Sequence, residues 1–315
     1  MEYLQLILGL VALIAGGEFL VRASIKLALR LKISALVIGM TVVSFGTSAP
    51  ELLVSLEAAL SGHPDVSIGA VIGSNISNLG LVLGITVIIF PIAVNKDSIK
   101  VDWPLMMLAS ILFYFFALDE QLVFYEGLVL FSILVLFTSW LMLRSRKEGL
   151  IVSAVQEVSE QKDNAPVWKD ILVLLLGLIG LYFGAEWLIE SVVIIARNFD
   201  ISEKFISVSI VAFGTSLPEL VTSTVAAFRK ETDISIGNLV GSNVFNILAI
   251  LGITSMVHPI SVNPGINSFD VYYMLGISAI LLPLMLLKRK LNASKGAILL
   301  VLYLIYIGIV VSIEL

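Results

Sequence analysis

The chain has 315 residues, 58% apolar and 14% charged, with a formal net charge of −5, two histidines and no cysteine. A soluble domain carries nearer a quarter charged residues, so this composition excludes an ordinary water-soluble fold. The missing thiols exclude disulfides and thiolate metal sites, two His near segment ends make a poor zinc centre, and no nucleic-acid footprint is visible.

Ten apolar runs approach the length of ~20 residues that a bilayer-spanning helix needs. Span one, 3–21, is expected to stay in place as a helix, because Met1 lacks a basic n-region and Glu18 interrupts any cleavage-site pattern. Glu18 has Arg22 at i+4, and the stripe Arg22, Lys26, Arg30 is expected to lie along anionic headgroups. Span two, 34–60, contains Phe45-Gly-Thr-Ser-Ala-Pro-Glu51. Span three, 66–90, starts beside Asp65, read as a helix N-cap, and contains Ser67-Ile-Gly-Ala-Val-Ile-Gly-Ser-Asn-Ile-Ser-Asn78. Spans four and five, 103–118 and 122–143, follow, with Asp102 as another cap. Residues 144–167 are the one soluble-looking stretch, at roughly 24 residues too short for a domain, and read as a linker. Span six is 168–196. Span seven, 203–228, contains Phe213-Gly-Thr-Ser-Leu-Pro-Glu219. Span eight, 234–258, follows Asp233 and contains Ser235-Ile-Gly-Asn-Leu-Val-Gly-Ser-Asn-Val-Phe-Asn246. Spans nine and ten are 270–287 and 296–313.

The motifs of spans two and three therefore return at a constant spacing of 168, and Glu18/Glu186, Asp65/Asp233, Pro91/Pro259 and Asp102/Asp270 keep it. The chain divides into a first five-helix repeat, 1–143, the 144–167 linker and a second repeat, 168–315. Five is odd, so the second repeat enters from the opposite side, which makes the halves inverted and places a site near the midplane. With the N-terminus outside, 17 of the 19 Lys and Arg fall on the cytoplasmic side, and only Arg197 and Lys204 do not. Both termini are then outside and the linker is cytoplasmic. The fold class is an all-α integral membrane protein of ten transmembrane helices, with broken helices at the midplane.

Charge in hydrocarbon is costly, so Glu51 and Glu219 mark function by default. Pro50 has no N–H to donate and crowds the carbonyl of Gly46; Pro218 does the same to Gly214. Each motif predicts a helix break with carbonyls released, tolerable only against a wet or protein-lined cavity. Ser44, Ser48, Glu51 and Ser55 share a helix face, with Thr47 one turn before Glu51; Thr215, Ser216, Glu219 and Ser223 follow suit. Ser74 and Asn78, like Ser242 and Asn246, sit at i, i+4, and Gly69, Gly73, Gly237 and Gly241 allow close helix approach. An all-oxygen ligand set suits a hard cation such as Ca²⁺. Two ionised Glu make −2, which one Ca²⁺, two Na⁺ or two H⁺ would neutralise, so charge alone leaves the counter-ion open.

The paired Gly-Thr-Ser-x-Pro-Glu and Gly-Ser-Asn-x-x-Asn segments resemble the two α-repeats of the sodium/calcium exchanger family, in the cation/calcium exchanger superfamily. The resemblance covers essentially the whole chain. It implies alternating-access antiport of Na⁺ for Ca²⁺, electrogenic and exporting Ca²⁺, in the cell membrane. It implies that Glu51 and Glu219 bind Ca²⁺ and share Na⁺, and that Thr47, Ser48, Thr215 and Ser216 give hydroxyls. Backbone carbonyls near Ser44 and Ala212 would join them, and Ser74, Asn78, Ser242 and Asn246 would complete the sites. Spans one and six would slide over this core. The proton-coupled branch resembles Gly-Asn-x-x-Glu where this chain has Gly-Thr-Ser-x-Pro-Glu, which favours sodium. Some relatives carry Asp at the place of Asn246; its absence here removes a third carboxylate and argues against K⁺ co-transport.

No enzyme activity, cofactor or obligatory protein partner is expected; the partners are Ca²⁺, Na⁺ and the bilayer. The alternatives are H⁺-coupled antiport of Ca²⁺ or another divalent cation, a cation channel, and an intramembrane hydrolase. Channel pores usually lie on an axis between subunits, and a hydrolase would need a nucleophile–base pairing that is missing.

Overall fold

The computed structural model describes residues 2–156, 166–199, 214–263 and 269–314, and these are almost entirely helical. In chain order they form α1 (Glu2–Leu31), α2 (Ala35–Thr47), α3 (Ala49–Leu60), α4 (Pro64–Ile89), α5 (Ser98–Asp119) and α6 (Phe124–Gln156). The second half gives α7 (Val167–Asn198), α8 (Leu217–Phe228), α9 (Thr232–Val257), α10 (Val271–Arg289) and α11 (Ala293–Glu314). Among the described residues, eight helices are long and apolar enough to cross a membrane, and α2 with α3, bent by 45°, make a ninth span. The seventh expected span, 203–228, is described only from residue 214 onward, so the count of ten lies partly outside the described residues.

Several helix ends differ from expectation for local reasons. Helix α1 runs ten residues past the expected end at 21, because a helix satisfies its own backbone in water as well as in lipid and Leu27 and Ala28 still bury a face. It stops where Lys32 adopts φ 55°, with Ile33 N–H bonded to Ala28 O at 3.0 Å and Lys32 N–H to Leu29 O at 3.2 Å, a left-handed helix stop. Helix α6 continues to Gln156, so the first part of the expected linker is helical. Asp65 and Asp233 are not N-caps: they lie in the first turns of α4 and α9, behind His63 and Glu231, where the helix dipole still favours an acid. Asp102 is not a cap by its side chain either, because α5 starts four residues earlier with a wide π-turn over Ser98–Asp102.

The two halves interlock across a pseudo-two-fold. Helices α1 and α7 run antiparallel along a glycine seam: a Cβ on Gly16 would stand 2.7 Å from Leu181 N and 2.8 Å from Gly177 O, and one on Gly184 would stand 2.7 Å from Leu13 N. Helices α4 and α9 are the most buried spans and carry the main core. Gly84 of α4 meets Gly296 of α11, and its repeat-mate Gly252 of α9 meets Gly127 of α6. Four two-residue strands pair across the halves. Ile92 of β1 (Ile92–Ala93) faces Leu291 of β4 (Lys290–Leu291), and Leu122 of β2 (Gln121–Leu122) faces Ile260 of β3 (Ile260–Ser261). Each half thus supplies one strand to each pair.

Candidate functional site

The break in span two falls at Ser48, whose φ −91° and ψ 5° leave the helical region, and Pro50 sits in the first turn of α3, where a missing N–H costs nothing. Ser216 repeats it with φ −88° and ψ 4°, and Pro218 lies in the first turn of α8. Glu51 and Glu219 consequently occupy the first turns of their half-helices, where the dipole stabilises an ionised carboxylate. The Ser44 carbonyl accepts the Ser48 N–H at 2.9 Å with one of its two lone pairs. The Gly46 carbonyl is the one that Pro50 cannot meet.

Both glutamates are buried, at 4% and 1% exposure. Ser48 Oγ donates to Glu219 Oε1 at 3.4 Å, so a first-half hydroxyl serves the second-half acid. Thr47 Oγ1 further lies 3.2 Å from Asn238 Oδ1 and 3.5 Å from Ser242 Oγ. Asn78 and Asn246 approach from α4 and α9, each at the first residue of a π-turn, a widening common at functional sites. Glu51 Oε2, Glu219 Oε2, Asn78 Oδ1, Asn246 Oδ1 and Ser216 Oγ are all buried without a hydrogen-bond partner among the described residues. Buried polar atoms are normally paired. Four orphaned acceptor oxygens at matching positions of two repeats are what a bare cation would satisfy.

Other expected residues divide. Ser74 and Ser242 are buried beside the asparagines. Ser44 Oγ is committed to packing, 2.8 Å from Gly39 O and 3.0 Å from Asn238 O. Thr215 is described and half-buried, whereas Ala212 lies outside the described residues. Ser55 bonds Ser67 at 2.6 Å, and Ser223 accepts from Asn238 Nδ2 at 3.0 Å, so both tie helices together. Gly237 and Gly241 give close approach, with a Cβ on Gly241 falling 2.8 Å from Met40 Cα. Gly69 and Gly73 have no neighbour within 4 Å among the described residues; the segment that the repeat places opposite them falls in 200–213, outside those residues.

Sequence reasoning passed over Asn75, Asn243 and Asn238. The first two stand inside the quoted repeat at equivalent positions, which was the available signal. Asn238 faces Ala70 in the alignment of the halves and gave none. In the basic stripe of α1, Arg22 pairs with Glu18 at 2.5 Å and Arg30 with Asp170 at 2.6 Å.

A family profile described as sodium/calcium exchanger protein matches residues 1–143 and 169–312. The chain is 30% identical over 347 residues to the sodium/calcium exchanger MaX1 of Methanosarcina acetivorans, covering 97% of each. It is 33% identical over 294 residues to the inner membrane protein YrbG of Escherichia coli, covering 92% of this chain and 90% of that one. Among solved structures, the sodium-calcium exchanger NCX_Mj soaked without Na⁺ and Ca²⁺ superimposes with a TM-score of 0.84 at 32% identity, over 98% of both chains.

Proposed function

The chain belongs to the sodium/calcium exchanger family, and from that membership we infer that it exchanges Na⁺ for Ca²⁺ across a membrane as a secondary antiporter. It is a multi-pass membrane protein, and the ions are its cargo. The observation that carries the reading is the group of orphaned oxygens on Glu51, Glu219, Asn78 and Asn246, buried where the halves meet.

In this reading Glu51 and Glu219 hold Ca²⁺ between them and share Na⁺ in its absence. Thr47, Ser48, Thr215, Ser216, Ser74 and Ser242 contribute hydroxyls, Asn78 and Asn246 amide oxygens, and the backbone near Ser44 and Ala212 carbonyls. The breaks at Gly46–Pro50 and Gly214–Pro218 aim these groups inward. Ca²⁺ neutralises the paired carboxylates; a third Na⁺ would leave the loaded site at +1, a charge worth ~2.3 kcal/mol per 100 mV. The α1–α7 pair is the moving element, and the two repeats meet through a cytoplasmic linker, with the termini outside the cell membrane. YrbG's description as an inner membrane protein supports that location.

The test is Ca²⁺ uptake into proteoliposomes under an imposed Na⁺ gradient and, separately, an imposed pH gradient. Uphill uptake driven by Na⁺ is expected, and uptake driven by pH alone would overturn the counter-ion. Glu51→Gln and Glu219→Gln each should abolish uptake with thermal unfolding unchanged; normal uptake by either sinks the site.

A further inference from the structure

Asn75 and Asn243 are buried to 1% exposure and belong to neither the carboxylate pair nor its hydroxyls. Asn75 Nδ2 donates to the main-chain carbonyl of Asn243 at 3.4 Å, and Asn243 Nδ2 donates to that of Asn75 at 3.2 Å. The same nitrogens reach Met274 Sδ at 3.5 Å and Met106 Sδ at 3.8 Å, methionines that are themselves repeat-mates. A backbone carbonyl and a thioether only accept, so the sense of both amides is fixed: nitrogen toward these partners, oxygen away.

That oxygen has a second task. Asn75 Oδ1 accepts from Asn246 Nδ2 at 3.0 Å, and Asn243 Oδ1 accepts from Asn78 Nδ2 at 3.1 Å. Asn78 and Asn246 must therefore present their nitrogens to this pair and turn their own oxygens the other way. Those two oxygens are buried and have no hydrogen-bond partner among the described residues. A freely turning amide would offer a cation its N–H dipole as readily as its oxygen. The backbone of each half, acting through one amide of the opposite half, removes that choice for a ligand of its own half.

We propose that Asn75 and Asn243 are positioning residues, which hold the amide oxygens of Asn246 and Asn78 toward the transported cation. The proposal rests on the ion-site reading above. It also makes each half's ligand dependent on the opposite half, so the site exists only when α4 and α9 are docked.

The experiment compares Asn243→Leu with Asn243→Asp, and Asn75→Leu with Asn75→Asp, by Na⁺-driven ⁴⁵Ca²⁺ uptake over a range of Ca²⁺ concentrations. Leu removes the acceptor that orients Asn78, whereas Asp keeps that acceptor and loses the amide nitrogen that meets the Asn75 carbonyl and Met106 Sδ. Outer-shell changes of this kind typically cost 10–100-fold in affinity, so the Leu variants should raise half-saturating Ca²⁺ by about 10-fold or more with maximal rate within about three-fold. The Asp variants should bind Ca²⁺ no more weakly than the parent. A merely structural role predicts that Leu and Asp do equal harm, and that result, or a Leu variant within about two-fold of the parent, overturns the proposal. If the Leu variants do not fold, the Asp variants decide alone: about 10-fold weaker Ca²⁺ binding would refute it. Glu51→Gln run in parallel separates the two readings, since its normal activity would defeat the site itself, whereas an inactive Glu51→Gln beside indistinguishable Leu and Asp variants defeats only the positioning.

Discussion

Ala70 and Asn238 hold equivalent places in the two repeats, yet only the asparagine joins the polar lattice, bonding Thr47 Oγ1 at 3.2 Å and Ser223 Oγ at 3.0 Å. Asn238→Ala would strand the Ser223 hydroxyl in a buried setting, a loss of about 1–3 kcal/mol where no water replaces the amide, while Thr47 Oγ1 keeps Ser44 O at 3.4 Å and Ser242 Oγ at 3.5 Å. The expected outcome is a lower melting temperature in detergent, with Ca²⁺ affinity changed less than in the Asn243→Leu variant. An unshifted melting temperature would mean that water fills the gap. This residue also marks the limit of sequence reading at this scale. Glu51 and Glu219 were legible because ionisable groups in apolar helices need a reason to be there. Asn75, Asn238 and Asn243 were not, since an amide in a membrane helix is equally a packing residue, and only the fold says which carbonyl it faces.

Elements were legible to the degree that one period or one proline controlled them. The breaks at Ser48 and Ser216 follow from Pro50 and Pro218, and the inversion of the repeats follows from an odd number of spans in each. Helix ends were less so: the end expected for α1 followed hydropathy, while its true stop at Lys32 is set by backbone bonding. The π-turns at Asn78–Val82 and Asn246–Leu251 left no mark in composition. Glycines gave a partial signal. Gly16 of α1 faces main-chain atoms of α7 at under 3 Å from its would-be Cβ, so no side-chain adjustment can make room. Gly16→Val should therefore separate α1 from α7 and cost at least the ~1–3 kcal/mol typical of overpacking, read as a lower melting temperature in detergent. A well-folded, fully active Gly16→Val would refute the close seam.

At the scale of the whole molecule, α1 and α7 are held together by glycines and share a buried cluster with α2, α8 and the start of α9, while α4 and α9 carry the larger core. The contact of α1 with α8 is uneven between the repeats. Glu18 of α1 is bonded by Arg229 at the end of α8, with Nε to Oε2 at 2.6 Å, whereas the repeat-mate of Arg229 is Ser61, which cannot form such a pair. A Cβ on Gly17 would lie 3.0 Å from Val221 Cγ1 of α8. In a chain without native cysteine, Gly17→Cys with Val221→Cys places two thiols across this boundary. Oxidation is expected to stop exchange, and a reductant to restore it, with each single variant indifferent to both. Continued exchange by the oxidised, cross-linked protein would show that α1 does not move against α8.

The crossed strands carry a consequence for synthesis. A ribosome that has delivered only residues 1–143 has made Ile92 and Leu122 without the chain segments that complete their hydrogen bonding, and has left Gly9 and Gly16 facing acyl tails. That intermediate has no finished surface until its younger sibling threads in backwards beside it. Residues 1–156 and 166–315 encoded on two genes should accumulate when made together and be degraded when either is made alone; stable accumulation of a lone half would show that the clasp is dispensable for assembly.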